Sequence, residues 1–178
     1  MKTQLIKVIA IVLVMLPAMV MAQSEFDKLY DKYAGKDGVT SINIQPEMFK
    51  FLNSFDMSDS ADDAKEAQNV MEQLSGLKLL VYESVNEKTL NNFYKEIKNS
   101  LPLNKYAELM TVDDSESHVK FLVKKEGKKR FSEMLMIVKS DDEVVVMSMM
   151  GDLDMKSISK IGSSLDMKGM ENLDKLEE

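Results

Sequence analysis

The feature that most constrains the fold is a run of four apolar segments between about residues 106 and 150, joined by short polar connections. The segments read YAELMTV, HVKFLVKK, RFSEMLMIVK and EVVVMSMM, and the connections read DDSES, EGK and SDD. Connections this short join antiparallel strands, because a parallel crossover needs a dozen or more residues. The pattern therefore predicts a four-stranded meander in the C-terminal half of the chain.

Helices and two further strands are predicted on either side of the meander. SEFDKLYDKYAG, PEMFKFLNSF, SDSADDAKEAQNVMEQLSG and NEKTLNNFYKEIKNSLP are typical of helices, whereas GVTSINIQ and LKLLVYES are typical of strands. The third helix is expected to include Leu74 and to end at Gly76. LDMK occurs at 153–156 and again at 165–168, and each Asp is expected to begin a helix. We therefore expect an α+β domain with a mainly antiparallel sheet, packed by helices from the N-terminal half and the C-terminus.

The first 22 residues have the features of a signal peptide. Two lysines precede the apolar run IAIVLVMLPAMVM, and Val20 and Ala22 are small residues suited to a cleavage site before Gln23. The apolar run is shorter than the ~20 residues that span a bilayer, so a retained transmembrane segment is not expected. We expect residues 1–22 to be removed and residues 23–178 to form one soluble domain in the periplasm or outside the cell.

The charge of the chain and its lack of cysteine exclude several kinds of function. The chain has 23 basic and 30 acidic residues, a net charge of −7, and removal of the signal peptide takes away two lysines and no acid to give −9. Binding of nucleic acid is not expected, because phosphate contacts need clustered Lys and Arg. Without cysteine there is no disulfide, thiolate metal site, cysteine nucleophile or lipidated cysteine.

Four methionines are predicted to share one face of the last hairpin. A turn at SDD pairs Met136 with Met147 and Met134 with Met149. Thioethers bind the soft ion Cu(I), so a copper site is one interpretation. Methionine is also a flexible filler of apolar cores, and the predicted face has no polar companion. Core packing is therefore the expectation, and no cofactor is assigned.

The opposite face of the same hairpin is apolar as well. Leu135 and Ile137 alternate with the methionines on one strand, as do Val144 and Val146 on the next. Strands that are apolar on both faces are covered on both faces. We therefore expect either helices on both sides of the sheet or a second molecule on one side, in a homodimer or with an envelope protein partner.

Few residues are candidates for catalysis. The only histidine, His118, begins a predicted strand, and the sequence assigns no nucleophile or orienting acid to it. Glu108, Asp113 and Glu133 alternate with apolar residues, so a buried carboxylate in an unrecognised hydrolase is one hypothesis. No GxSxG, HExxH or Gly-rich phosphate loop is present. No catalytic residues are assigned, and enzymatic activity is not expected.

The stretch KKEGKKR places five basic residues around a hairpin turn of this acidic chain: Lys124, Lys125, Lys128, Lys129 and Arg130. Basic residues at a turn commonly increase solubility and protect strand edges. The alternative is a contact for an acidic partner.

The opening FDKLYDKYAGKDGVTSINI, with the LKLLVYES strand and the hairpin-rich second half, resembles an uncharacterised family of exported bacterial proteins, mostly from Bacteroidota. The family is catalogued as domain of unknown function 4252. The resemblance implies a secreted or lipid-anchored α+β domain without assigned catalytic residues. Some relatives are encoded near genes for extracytoplasmic-function sigma factors, so it also implies a place in envelope signalling. This chain lacks the lipid-attachment cysteine of many members, so no lipid anchor is expected. We expect an exported, non-enzymatic domain that acts through contact with a protein or ligand.

Overall fold

The computed structural model describes residues 24–55 and 62–164. The predicted signal peptide and the helix predicted from residue 165 onward lie outside the described residues. The helices within them are α1 (Glu25–Tyr33), α2 (Pro46–Asn53), α3 (Asp62–Gln73), α4 (Glu87–Ser100) and α5 (Met155–Ser164), with a 3-10 helix at Leu103–Lys105. The strands are β1 (Val39–Ile44), β2 (Leu74–Glu83), β3 (Ala107–Asp113), β4 (Ser117–Glu126), β5 (Arg130–Ser140) and β6 (Glu143–Leu153).

The six strands form one antiparallel sheet in the order β1–β2–β6–β5–β4–β3. Strands β3 to β6 form the predicted meander, and the predicted α+β class is confirmed. Between β2 and β3 the chain crosses the sheet through α4, which carries it from one side of the meander to the other. Strand β1 therefore forms one edge of the sheet, and β3 forms the other.

Helices lie against both faces of the sheet. The first face, which carries Leu135 and Val146, is covered by α1 and α4 through apolar residues that include Phe26 and Ile97. On the second face, which carries the methionines, α5 inserts the fully buried Ile158. Helix α3 contacts β2, β6 and α5. Of the two coverings expected from the sequence, helices on both sides are therefore present.

The predicted register of the last hairpin is confirmed. Met136 lies opposite Met147, and Met134 lies opposite Met149. The turn between β5 and β6 falls at residues 141 and 142, as the polar SDD connection indicates. Because the connection is short, the pairing follows directly from the local sequence.

The predicted end of the third helix is wrong. Helix α3 ends at Gln73, and Leu74 begins β2. Leu74 lies opposite Gly151 of β6, where the backbones approach so closely that a Cβ on Gly151 would lie 2.0 Å from the Gln73 carbonyl oxygen. Gly76 lies within β2 and faces Met150. Pairing with a strand that is distant in sequence therefore overrides the local helical pattern.

Side chains cap three of the described helices. The Asn86 side-chain oxygen caps α4 by accepting a hydrogen bond from the Thr89 N–H at 3.2 Å. The Ser24 hydroxyl accepts a hydrogen bond from the Asp27 N–H, and the Asp27 carboxylate accepts one from the Ser24 N–H, each at 3.0 Å. This reciprocal pair is a capping box. Asp154 accepts a hydrogen bond from the Ser157 N–H at 2.8 Å, so the predicted cap at the first LDMK copy is confirmed.

Candidate functional site

Exposed apolar side chains are concentrated where β1 leads into α2. The exposed fractions are 43% for Ile42, 49% for Met48, 58% for Phe51 and 50% for Phe55. Among the described residues, Val85 is the one other large apolar residue that is comparably exposed. Contiguous exposed apolar side chains mark interaction sites in many proteins. We call these four residues, Ile42, Met48, Phe51 and Phe55, the β1–α2 surface.

The local sequence produces this surface directly. A single residue, Gln45, separates β1 from Pro46, and proline at the first helical position favours an immediate helix start. Helix α2 buries Phe49, which leaves Met48 and Phe51 on its outer side. Phe51 and Ile44 line a shallow groove of about 490 Å³ together with Asn43, Gln45, Glu47 and Met48. The Phe51 and Phe55 rings meet edge to face, with 5.0 Å between their centroids.

The backbone of β1 presents hydrogen-bonding groups at the open edge of the sheet. The Glu83 N–H donates to the Gly38 carbonyl at 3.1 Å. This bond identifies which residues of β1 form hydrogen bonds with β2. By the alternation of antiparallel pairs, the even-numbered residues of β1 direct their N–H and C=O groups to β2. Ser41 and Asn43 direct theirs outward. The described part of the chain provides no hydrogen-bond partner for these outward groups.

The two edge strands of the sheet differ in the features that prevent pairing with another chain. On β3, the pairing with β4 is interrupted by an irregularity between Glu108 and Met110, and the strand carries the charged Glu108 and Asp113. On β1, the register is regular over all six residues, and the strand has no charged residue and no proline. Charges, prolines and bulges are the usual means by which edge strands avoid pairing with another chain. Among the residues that the structure describes, β1 is therefore the edge that lacks these protections.

The three candidate carboxylates do not form one site. Glu108 accepts hydrogen bonds from Lys120 Nζ at 2.9 Å and from the Thr111 hydroxyl at 2.7 Å. The hydrogen bond from Lys120 is the main reason that the pKa of Glu108 is lowered. Asp113 lies opposite His118, and the Asp113 carboxylate contacts Nδ1 of the imidazole. Glu133 lies on β5, two strands away from both of the other carboxylates.

Glu133 is buried on the first face of the sheet, with 4% of the residue exposed. It accepts a hydrogen bond from the Tyr106 hydroxyl at 2.7 Å and another from the Ser148 hydroxyl at 2.6 Å. Burial and the hydrogen bond to Glu133 raise the pKa of Tyr106. The three side chains connect β5, β6 and the segment before β3, which indicates a structural role. The sequence did not predict a role for Ser148, although this polar residue alternates with the apolar Val144 and Val146.

An aromatic groove of about 510 Å³ lies between the end of α1 and α4. The Phe93 ring forms part of its lining, with the Tyr33 centroid at 4.8 Å and the Tyr82 centroid at 4.6 Å. The Tyr33 hydroxyl donates a hydrogen bond to Glu96, and burial together with this carboxylate raises the pKa of Tyr33. The groove also reaches Val39, the first residue of β1. Its residues come from separate elements, so no local sequence pattern predicts it.

The basic hairpin lies at the turn between β4 and β5, as predicted. Lys124, Lys125, Lys128 and Lys129 are exposed, and their ammonium groups form no hydrogen bond or ion pair with the described residues. Arg130 differs, because its guanidinium donates to Asp152 at 2.6 Å and to Asp154 at 3.4 Å. Four of the five predicted contact residues are thus open to solvent, and their role in binding stays a prediction.

Met134, Met136, Met147 and Met149 are all buried in the core of the second face. Their neighbours there include the aromatic residues Phe121 and Phe131. Sulfurs enclosed by apolar side chains are suited to packing, whereas a bound ion would need access through the core. Within residues 24–55 and 62–164, no group of three or more His, Asp or Glu side chains is arranged to hold a metal ion.

None of the helices in the described ranges is both long and apolar enough to cross a bilayer. A family model described as "Domain of unknown function (DUF4252)" matches residues 30–161. The matched range includes the β1–α2 surface, the aromatic groove and the basic hairpin. No match was found among curated proteins or among solved structures.

Proposed function

Since the chain belongs to the family described as domain of unknown function 4252, we propose from its own surface that it is an exported, non-enzymatic protein that binds another protein. The contact in this proposal is the β1–α2 surface. The observation that carries it is the concentration of exposed apolar side chains beside the unprotected edge of the sheet.

The energetics of this surface favour binding. Each Å² of apolar surface removed from water contributes about 25 cal/mol, and both Phe51 and Phe55 expose half or more of their surface. Large aromatic side chains at the centre of an interface commonly provide most of the binding energy. The outward backbone groups of Ser41 and Asn43 add a directional component, because a bound strand satisfies them.

The distribution of polar groups supports binding in preference to catalysis. Glu108, Asp113 and Glu133 each bond to different partners, and Glu133 lies two strands away from the other two. The described contacts therefore do not pair two of these carboxylates as an acid and a base on one substrate. His118 contacts Asp113 and the Tyr94 ring, whose centroid lies 6.2 Å from that of the imidazole. The hydrolase alternative therefore has less support than the contact surface.

Export is part of the proposal and rests on the sequence of residues 1–22. Its test is N-terminal sequencing of the protein recovered from the periplasm or the medium of producing cells. A chain that begins at Gln23 supports export, whereas a cytoplasmic chain that begins at Met1 contradicts it. Within envelope signalling, the setting that the family resemblance implies, the bound protein is a component of the envelope.

Photo-crosslinking in producing cells tests the contact surface. A benzophenone amino acid replaces Phe51, and in a matched control it replaces the isolated, fully exposed Val85. We expect a discrete adduct of a second protein from position 51 and none from position 85. Equal labelling from both positions, or no adduct from position 51, contradicts the proposal.

The basic hairpin is a second candidate contact. The observation that favours it is that four of its lysines are exposed, with no ion pair to the described residues, in a chain of net charge −7. An acidic protein segment is the ligand that this charge fits. The same crosslinker at Lys128 should give an adduct whose yield falls as the salt concentration rises. An adduct that is insensitive to salt, or no adduct, contradicts this second contact.

A further inference from the structure

We propose that a second copy of this chain binds at the β1–α2 surface by pairing its own β1 antiparallel to the first. The inference rests on the proposed function, because it names a partner for the same surface. It starts from the outward backbone groups of Ser41 and Asn43 and from the lack of any charge, proline or bulge that would prevent strand addition at this edge.

One register satisfies the outward groups most fully. When Ser41 of one copy lies opposite Asn43 of the other, the two symmetric pairs exchange four backbone hydrogen bonds. A register with its axis at Ser41 would use the outward groups of Val39, and one with its axis at Asn43 would use those of Gln45. The Val39 N–H already donates to the Lys36 carbonyl at 3.1 Å. The favoured register places the two-fold axis at Ile42, so that each Ile42 faces its counterpart.

The side chains of this register agree with an isologous contact. Ile42 and Ile44 lie opposite Leu79 and Leu77 of β2, which places them on the second face of the sheet. A two-fold axis at Ile42 brings both copies of this apolar strip to the same side of one continuous sheet. It thereby also brings the adjoining Met48 and Phe51 of each copy towards the interface. A six-residue strand alone makes a small contact, and these side chains enlarge it.

Charge complementarity favours a second copy in particular. Two acidic chains repel each other at most surfaces, but β1 carries no charged residue. Helix α2 has one exposed acid, Glu47, and one exposed base, Lys50. These two charges cancel, so α2 adds no net charge beside this edge. The β1 edge can therefore pair with the same edge of a second copy without repulsion between charged side chains of β1.

The absence of cysteine allows a direct test with residues 23–178. In the proposed register Ile42 forms a non-hydrogen-bonded pair with its counterpart, at a Cα separation of about 4.5 Å, which suits a disulfide. Thr40 is exposed on the same strand and face, but its counterpart lies about 13 Å further along the strand. Ile42→Cys should form disulfide-linked dimers at least tenfold faster than Thr40→Cys. Equal rates contradict the register.

Light scattering over a concentration series provides the second measurement. The unsubstituted protein should approach twice the monomer mass, and Ile42→Lys, which places a charge at the axis, should weaken the dimer at least tenfold while keeping its circular dichroism spectrum. A monomer at all concentrations overturns the inference. If position 51 still crosslinks to a different protein, the proposed function stands without the dimer; if it crosslinks to nothing, both are wrong.

Discussion

The Asp27 carboxylate of α1 accepts a hydrogen bond from the Lys78 ammonium of β2, with 2.5 Å between Oδ1 and Nζ. Both side chains are largely buried, at 17% and 16% exposed. Lys78 Nζ also lies 5.2 Å from the centre of the Tyr30 ring. This contact ties the first helix to β2, the strand that supports the open edge. Asp27 also completes the capping box with Ser24, so one carboxylate serves two structural purposes.

We expect Asp27→Ala to lower the free energy of unfolding by about 2–3 kcal/mol, because it removes a charge-assisted hydrogen bond and leaves Lys78 without a partner. Urea denaturation measures the change. Glu25→Ala is the matched control, since Glu25 pairs with Lys28 on the exposed side of the same helix. An exposed pair contributes less than about 1 kcal/mol, so equal losses for the two variants would contradict the account.

Stability should decrease in acid, and Asp27 should contribute to the decrease. Burial opposes ionisation of Asp27, but the hydrogen bonds from Lys78 and Ser24 outweigh it and lower the pKa below the ordinary 3.8. A lowered pKa in the folded state stabilises the protein above the ordinary value, and this stabilisation is lost as the pH falls through the folded-state pKa. Asp27→Asn should therefore lose less stability than the unsubstituted protein between pH 5 and the acid limit. Parallel pH profiles would show that Asp27 does not contribute.

Glu133→Ala should destabilise the fold by about 2–3 kcal/mol, because the buried Ser148 hydroxyl and the half-buried Tyr106 hydroxyl lose their acceptor. Replacing Ser148 with Ala removes one donor and leaves Glu133 bound to Tyr106, so its effect should be smaller. Thermal and urea unfolding provide the comparison. If Glu133 instead served catalysis, its loss would leave stability unchanged or increase it, as is common where active sites reduce stability.

Met134 tests the packing role of the methionine cluster. Met134→Ala should cost about 2–5 kcal/mol, because it leaves a cavity among Phe121, Phe131 and Met149. Met134→Leu conserves the volume and should cost less than about 1.5 kcal/mol. Binding of Cu(I), measured by competition with a chromogenic chelator, should be no weaker in the Leu variant. A copper affinity that falls with the Leu substitution would favour the metal-site interpretation instead.

The parts of the fold that sequence predicts are those set by neighbours along the chain. The pairing of Met136 with Met147 follows from a short turn, and the capping role of Asp154 follows from its position before an apolar repeat. The end of α3 does not follow in this way, because Leu74 is held in β2 by residues of β6 that lie more than 70 positions further on. Local helix propensity is too weak to compete with a strand pairing of this length.

The candidate site also combines features that the local sequence predicts with features that depend on distant parts of the chain. VTSINI can be identified as a strand from its alternation, but its place at the sheet edge depends on the strand order, which the sequence does not encode locally. The aromatic groove brings Tyr33, Tyr82 and Phe93 together from α1, β2 and α4. The four exposed lysines of the basic hairpin were predictable. The ion pairs of Arg130 were not, because they depend on where Asp152, near the end of β6, and Asp154, just after it, lie.

The central claim is that β1 is an open edge on which another strand can add. Amide hydrogen exchange of residues 23–178, resolved by NMR, measures this most directly. At low protein concentration the amides of Ser41 and Asn43 should exchange fast, and those of Thr40 and Ile42, which bond to β2, should exchange slowly. At high concentration Ser41 and Asn43 should become protected as well. Slow exchange of Ser41 and Asn43 in a sample that is monomeric by light scattering would contradict the account, because the edge would then already be covered.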